Sequence, residues 1–445
     1  MGGEQLEGDE RRRSVAGFGT ALGAAAVLRL VSVVGKGPFV YVDSIDYETL
    51  DFSGRSRRPW ATPLLYEVVR DPQLRVVAQG VIGVVCWSVL ALEVTRHVQD
   101  RRIQWALLLG VLGLSLTTTI TNWDTTMLSE PLALSLTTLL IAALLRLARE
   151  PDRRAALLVG AALVPWIFTR QNNLVPGVLL ATTLAVVAVV AWRRRHDRRR
   201  ILAGLAGAAF VILALAAGSY SRNTEIVHHN LASVMGGRVL LDDSDARWFV
   251  AHGMPDQALD RLSFPASGDQ MLGIRSFRDW VEDEGVATYA RFLLTHPIEA
   301  VRRPAEALVS ERPPTFEPQR ADDAMLGGIV YGAAREVLPK PVEDLFAAPA
   351  GTGTIVFLVV VALAATLDAA RQRGPSPQWL APFLLLALQW PALTVVWHAS
   401  TGELERLGLV SLVGCWIGAL LLLGVVVDAR IRPAATDPPR QTTMG

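Results

Sequence analysis

Long apolar runs alternate with short polar stretches from residue 14 to residue 427. A hydrocarbon core roughly 30 Å thick needs about 20 apolar residues in helical form. That length predicts spanning helices over 14–35, 73–95, 103–121, 128–148, 155–172, 174–192, 201–219, 351–369, 378–397 and 404–427. Helix is the default because unpaired backbone groups are costly in lipid. The expected fold class is an all-α polytopic membrane protein of about ten transmembrane helices. Between the fifth and sixth runs only Arg170, Gln171, Asn172 and Asn173 are left for a tight turn.

Two segments interrupt the pattern. One is 36–72, between the first two spans; the other is 220–350, long enough at about 130 residues for a small domain. Amphipathic stretches over Ser244–His252 and Phe277–Leu294, separated by Pro/Gly breaks, make this second segment mostly helical. The organisation expected is a cytoplasmic N-terminal tail (1–13), a seven-span module (14–219) that includes loop 36–72, and an extracytoplasmic domain (220–350). A three-span module (351–427) and a disordered cytoplasmic tail (428–445) follow. Arg11, Arg12 and Arg13 precede the first run as in a signal peptide. No small-x-small cleavage pattern follows, so the run reads as an uncleaved span.

Composition agrees with lipid contact: 51% of the 445 residues are hydrophobic. The formal charge is only +1, but the charges are segregated. Arg96, Arg101 and Arg102 share one short loop, and Arg146, Arg149, Arg153 and Arg154 the next. Arg193–Arg195 with Arg198–Arg200 form a third, and Arg371 with Arg373 a fourth. A cytoplasmic N-terminus puts all four loops inside, as the positive-inside rule requires. The preference for arginine over lysine suggests a bacterial source, hence a plasma membrane. Cys86 and Cys415 both lie in apolar runs, which argues against a disulfide framework. No GxxxxGK[ST], HExxH or GxSxG motif is present, and nothing points to a nucleic-acid partner.

The outward loops hold the candidate chemistry. The first reads Asp43-Ser44-Ile45-Asp46-Tyr47, then a basic stretch ending Arg57-Arg58-Pro59-Trp60. Carboxylates at a membrane surface suit a general base or a metal ligand, although Asp43 could simply cap a short interfacial helix. The second loop carries Asp124 and, at the membrane edge, Glu130. Ionisable groups there are functional candidates, yet Ser129-Glu130-Pro131 also reads as an ordinary helix start. Arg170, Arg222, His398 and Arg406 fall at the same outer depth. Outward arginines run against the charge asymmetry; an anionic lipid phosphate accounts for them, as does simple snorkelling.

Taken together these features resemble the GT-C superfamily of integral membrane glycosyltransferases, which use polyprenyl-phosphate sugars, as in dolichyl-phosphate-mannose-protein mannosyltransferases. The features are Asp43, Asp46 and Tyr47; Arg57-Arg58-Pro59-Trp60; Leu128-Ser129-Glu130-Pro131; Arg170-Gln171-Asn172-Asn173; and His398 with Glu405-Arg406. The resemblance implies a GT-C-like fold, with Asp43 as catalytic base or Asp46 in its place. It implies that Asp124 and Glu130 support the acceptor or a divalent cation. It makes Arg170, Arg222, His398 and Arg406 ligands of the donor phosphate. The first loop has Asp43-Ser44-Ile45-Asp46 where the family commonly has an Asp-Glu pair, so both aspartates stay open as base. The partners implied are a polyprenyl-phosphate sugar, membrane lipid, and an extracytoplasmic glycan, lipid or protein acceptor. Two other readings fit the scaffold: a transporter or flippase of lipid-linked glycans, and a non-catalytic envelope assembly protein.

Overall fold

The computed structural model describes residues 2–54, 56, 58–190, 196–222, 224–310, 334–347, 359, 362–363, 365–367, 377–399 and 404–431. These residues are almost entirely helical. Among them the only β-contact is a single bridge between Phe39 and Thr126. The helices are α1 (Gly2–Val33), α2 (Ala61–Val68), α3 (Pro72–Thr95), α4 (Arg101–Leu116), α5 (Thr118–Asp124) and α6 (Glu130–Arg149). Next come α7 (Arg153–Ile167), α8 (Leu174–Val190), α9 (His196–Tyr220), α10 (Thr224–Gly237), α11 (Asp243–Ala251), α12 (Gln257–Arg261) and α13 (Gly268–Leu272). The last are α14 (Arg275–Trp280), α15 (Val286–Thr295), α16 (Pro297–Ser310), α17 (Lys340–Ala347), α18 (Pro377–Ala399) and α19 (Leu404–Ile431).

Seven described helices are long and apolar enough to cross a membrane: Ala16–Val33, Pro72–Thr95, Glu130–Arg149, Gln171–Val190, Arg200–Tyr220, Ala381–Ala399 and Gly408–Ile431. The pair α4–α5 makes an eighth if it is one broken span, bent by 51°. The chain is therefore an all-α polytopic membrane protein. One expected span is shorter than read from hydropathy. The run 155–172 forms a helix of only 15 residues, α7, with Pro165 near its end and a turn from Phe168. The run 351–369 lies almost wholly outside the described residues, as does the tail beyond Ile431.

Buried apolar side chains form three main clusters. The first joins α1, α3, α4, α5, α6 and α19, and the second joins α6, α7, α8 and α9. Helix α6 contributes to both and is the most buried of the spans, so its N-terminus, Glu130, is held from all sides. Its threonines return their hydroxyls to the helix backbone, Thr137 to Ala133 and Thr138 to Ser135, and so stay compatible with an apolar setting. The third cluster, from Leu231 to Phe292, is the core of a helical unit built from α10–α15, to which α16 is tied by the Arg303–Asp245 ion pair. Its helices α11 and α14–α15 cover the two amphipathic stretches read from sequence.

The break between α4 and α5 has a local cause. Thr117 is extended (φ −61°, ψ 147°), which interrupts the helical hydrogen bonds. Arg29 of α1 bridges the gap: Nη1 donates to the Ser115 carbonyl at 3.0 Å, while Nε and Nη2 meet both Asp124 oxygens at 2.9 and 3.0 Å. The Glu343 carboxylate accepts from the Thr118 amide at 3.1 Å and so caps α5 from the other side. Gly83 makes room for this bridge, because a Cβ there would stand 2.5 Å from the Arg29 guanidinium.

Candidate functional site

Loop 36–72 is pinned across the ends of the spans by backbone and side chain together. The Phe39 amide donates to the Thr125 carbonyl at 2.7 Å, and the Met127 amide to the Phe39 carbonyl at 2.9 Å. Tyr47 donates to the Ser129 hydroxyl at 3.1 Å. Arg75 of α3 ties the middle of the loop to its last turn: it pairs with Glu48, donates to the Val69 carbonyl at 2.8 Å, and stacks 4.5 Å over the Tyr66 ring. The Tyr66 hydroxyl is buried between Gln79 Oε1 and the Leu128 carbonyl, 3.2 Å from each. Burial raises its pKa well above the usual tyrosine value, so it stays a donor.

These contacts set a short 3₁₀ helix, Val42–Tyr47, at the rim of a cavity of about 1100 Å³. Asp43 and Asp46 both line it and share Arg58, whose Nη2 lies 3.0 Å from Asp43 and 3.3 Å from Asp46. Arg58 also sits 5.3 Å over the Tyr47 ring. Ser129, Arg170 and Asn172 continue this wall. The facing wall belongs to the helical unit and carries Glu225, His229, Asp269 and Glu282. His229 Nδ1 stands 3.4 Å from Asp269. Gly268 allows this approach, since a Cβ there would meet the Ser233 hydroxyl at 2.3 Å.

Arg170 ends the turn after α7, and its Nη2 donates to Glu130 at 3.1 Å, with both side chains buried. It also lines a second, narrower pocket of about 100 Å³ that lies among the spans. That pocket is formed by Leu140 and Leu144 of α6, Leu180 of α8, Leu385 and Leu388 of α18, and Val410 of α19. Asn172 lines both spaces as well. A polar cavity and an apolar groove thus meet at one arginine, held by one buried carboxylate. Such a junction suits an amphiphile with an anionic head and an apolar chain.

The other candidates sit elsewhere. Asp124 is fully buried against Arg29 and does not line the cavity. Arg222 donates to the Ser53 carbonyl at 2.7 Å, tying the far side of loop 36–72 to the end of α9. His398 lies between the Tyr289 hydroxyl, 2.9 Å from Nδ1, and the Ala300 carbonyl, 2.8 Å from Nε2. It joins the helical unit to α18, while its neighbour Ala399 lines the cavity. Arg406 is on α19 with its side chain outside the described residues, as are Arg55 and Arg57 entirely. Among the described residues no three His, Cys, Asp or Glu side chains stand close enough to share a cation. Sequence reading missed Arg58 as a partner of both aspartates, Arg29, and the whole facing wall. Arg29 had a signal, because a lone charge inside an apolar run is a candidate by default.

The chain is, by fold and site, a multi-pass helical membrane protein with a polar cavity at one end of its spans. No protein-family model matches it, and no curated protein does. Among solved structures it is similar to the Archaeoglobus fulgidus oligosaccharyltransferase, crystallised with a tethered acceptor peptide containing the NVT sequon. The TM-score is 0.40 and the identity 11%, over 92% of this chain and 50% of that one.

Proposed function

We propose that this chain is a GT-C-like membrane glycosyltransferase that moves a sugar from a polyprenyl-phosphate carrier to an acceptor hydroxyl. The observation that carries the reading is the junction at Arg170, shared by the polar cavity and the apolar groove. The carrier's phosphate meets Arg170, its chain follows the groove among α6, α8, α18 and α19, and the sugar projects into the cavity. The acceptor enters between the two walls. Its hydroxyl oxygen attacks the anomeric carbon, the bond from that carbon to the phosphate oxygen breaks, and the lipid phosphate leaves with the electron pair. The proton passes to Asp43. Asp43 is preferred over Asp46 because its side chain is the more open to the cavity, 36% exposed against 24%. The positive charge of Arg170 offsets the charge gathering on the leaving phosphate.

The cavity's membrane side supports an outward-facing site. It opens at the Glu130 end of α6, while Arg146 and Arg149 occupy the other end. Positive-inside topology makes the cavity end extracytoplasmic, in a bacterial plasma membrane on the composition argument. The acceptor is then an envelope glycan, lipid or protein. The test uses purified protein in proteoliposomes with a heat-treated envelope extract as acceptor. Radiolabel supplied as a polyprenyl-phosphate sugar is expected to leave the lipid fraction for the acceptor, with no nucleotide sugar present. Transfer from a nucleotide sugar alone, with the lipid-linked sugar untouched, would overturn the reading.

A further inference from the structure

Helix α15 has two apolar faces. Phe292 is buried in the third cluster, with Tyr289 and Leu293 packed beside it. The other face carries Val286, Ala290 and Leu294 at helical spacing on α15, and beyond the break at His296 α16 adds Ile298 and Val301. Every member is exposed, Leu294 to 81% and Ile298 to 74%. Single exposed apolar residues are ordinary, but a continuous row marks a contact surface.

Hydrogen bonds fix the depth of that row. His398 lies at the end of the span Ala381–Ala399, and it is bonded to the Ala300 carbonyl, between Ile298 and Val301. The same imidazole meets Tyr289 of α15. Arg238, just past the end of α10, donates to the Trp397 carbonyl and stacks 4.7 Å over the Trp397 ring, which locks the unit to this end of α18. Helix α16 therefore packs where α18 leaves the hydrocarbon, beside spans whose own exposed apolar side chains face lipid. Exposed Arg291 flanks the row and is placed to meet anionic headgroups.

We propose that the α15–α16 row is a membrane-seating surface, lying in the headgroup–acyl boundary and holding the helical unit over the cavity. It depends on the chain spanning a membrane and is independent of which reaction the cavity performs. The test labels Leu294→Cys with an environment-sensitive fluorophore in proteoliposomes; Cys86 and Cys415 are buried and stay unlabelled. An interfacial face sits roughly 5–10 Å into the boundary, so a nitroxide on the headgroup or upper chain is expected to quench about twofold more than one deep in the chain. Aqueous iodide is expected to quench far less than it quenches the free dye. Open access to iodide without nitroxide quenching would overturn the proposal. Protection from both quenchers would overturn it too, because protein then covers the row. Ile298→Cys repeats the measurement if Leu294→Cys does not fold.

Discussion

Asp43→Asn is expected to leave folding intact and to lower sugar transfer by roughly 10²–10⁴-fold, the usual contribution of a positioned general base. Asparagine keeps the size of the side chain and can still accept from Arg58, but it cannot take the acceptor's proton. Stability should barely change, because the Asp43–Arg58 contact is partly exposed, with side chains 36% and 23% accessible. Pairs of that kind typically contribute at most about 1 kcal/mol. Asp46→Asn is the paired measurement and should cost less, since Asp46 serves mainly to hold Arg58 through two contacts. Initial rates from a polyprenyl-phosphate donor, read alongside melting temperatures, separate the outcomes. Full activity in Asp43→Asn removes that residue from the base role, and loss confined to Asp46→Asn moves the role there.

The largest stability effect is expected at the Arg29–Asp124 pair, whose side chains are each only 2% accessible. Arg29→Met leaves a carboxylate and the Ser115 carbonyl without their donor at the α4–α5 break. Asp124→Leu leaves a buried guanidinium without its anion. Breaking such a pair from one side typically costs about 3–5 kcal/mol, because the remaining charge stays desolvated. The double variant replaces both charges with apolar groups and should recover much of that loss. Unfolding measured in nanodiscs on the two single variants and the double decides it. Simple addition of the two losses would mean that the pair does not act as a unit.

This pair also marks where sequence stops being legible. Hydropathy located most of the described spans, because an apolar run of the right length has few alternatives in lipid. The run 103–121 concealed its break at Thr117, since the residues that stabilise a bend there, Arg29 and Glu343, come from remote segments. Arg29 and Asp124 are 95 residues apart, and no local pattern links them. Asp124 therefore looked like a cavity residue on the strength of its loop, and His398 looked like a phosphate ligand on the strength of its depth. Each has a buried or half-buried partner instead. By contrast, the expectation that Asp43, Asp46 and Arg170 share one surface agrees with the cavity they line. Loop 36–72 and the turn after α7 both lie at the same end of the spans, and short hydrogen-bonded links draw them to one rim. The facing wall was not legible, because Glu225, His229 and Glu282 are ordinary polar residues until α10 and the turn after α14 fold around one core.

In the proposed function a lipid-linked donor straddles the junction at Arg170. A structure in a lipid nanodisc with a polyprenyl phosphate added tests it most directly. The phosphate is expected within hydrogen-bonding reach of the Arg170 guanidinium, roughly 2.7–3.2 Å between heavy atoms. The polyprenyl chain is expected to lead away among α6, α8, α18 and α19. A phosphate bound away from Arg170, or a chain that leaves the cavity by another route, contradicts it.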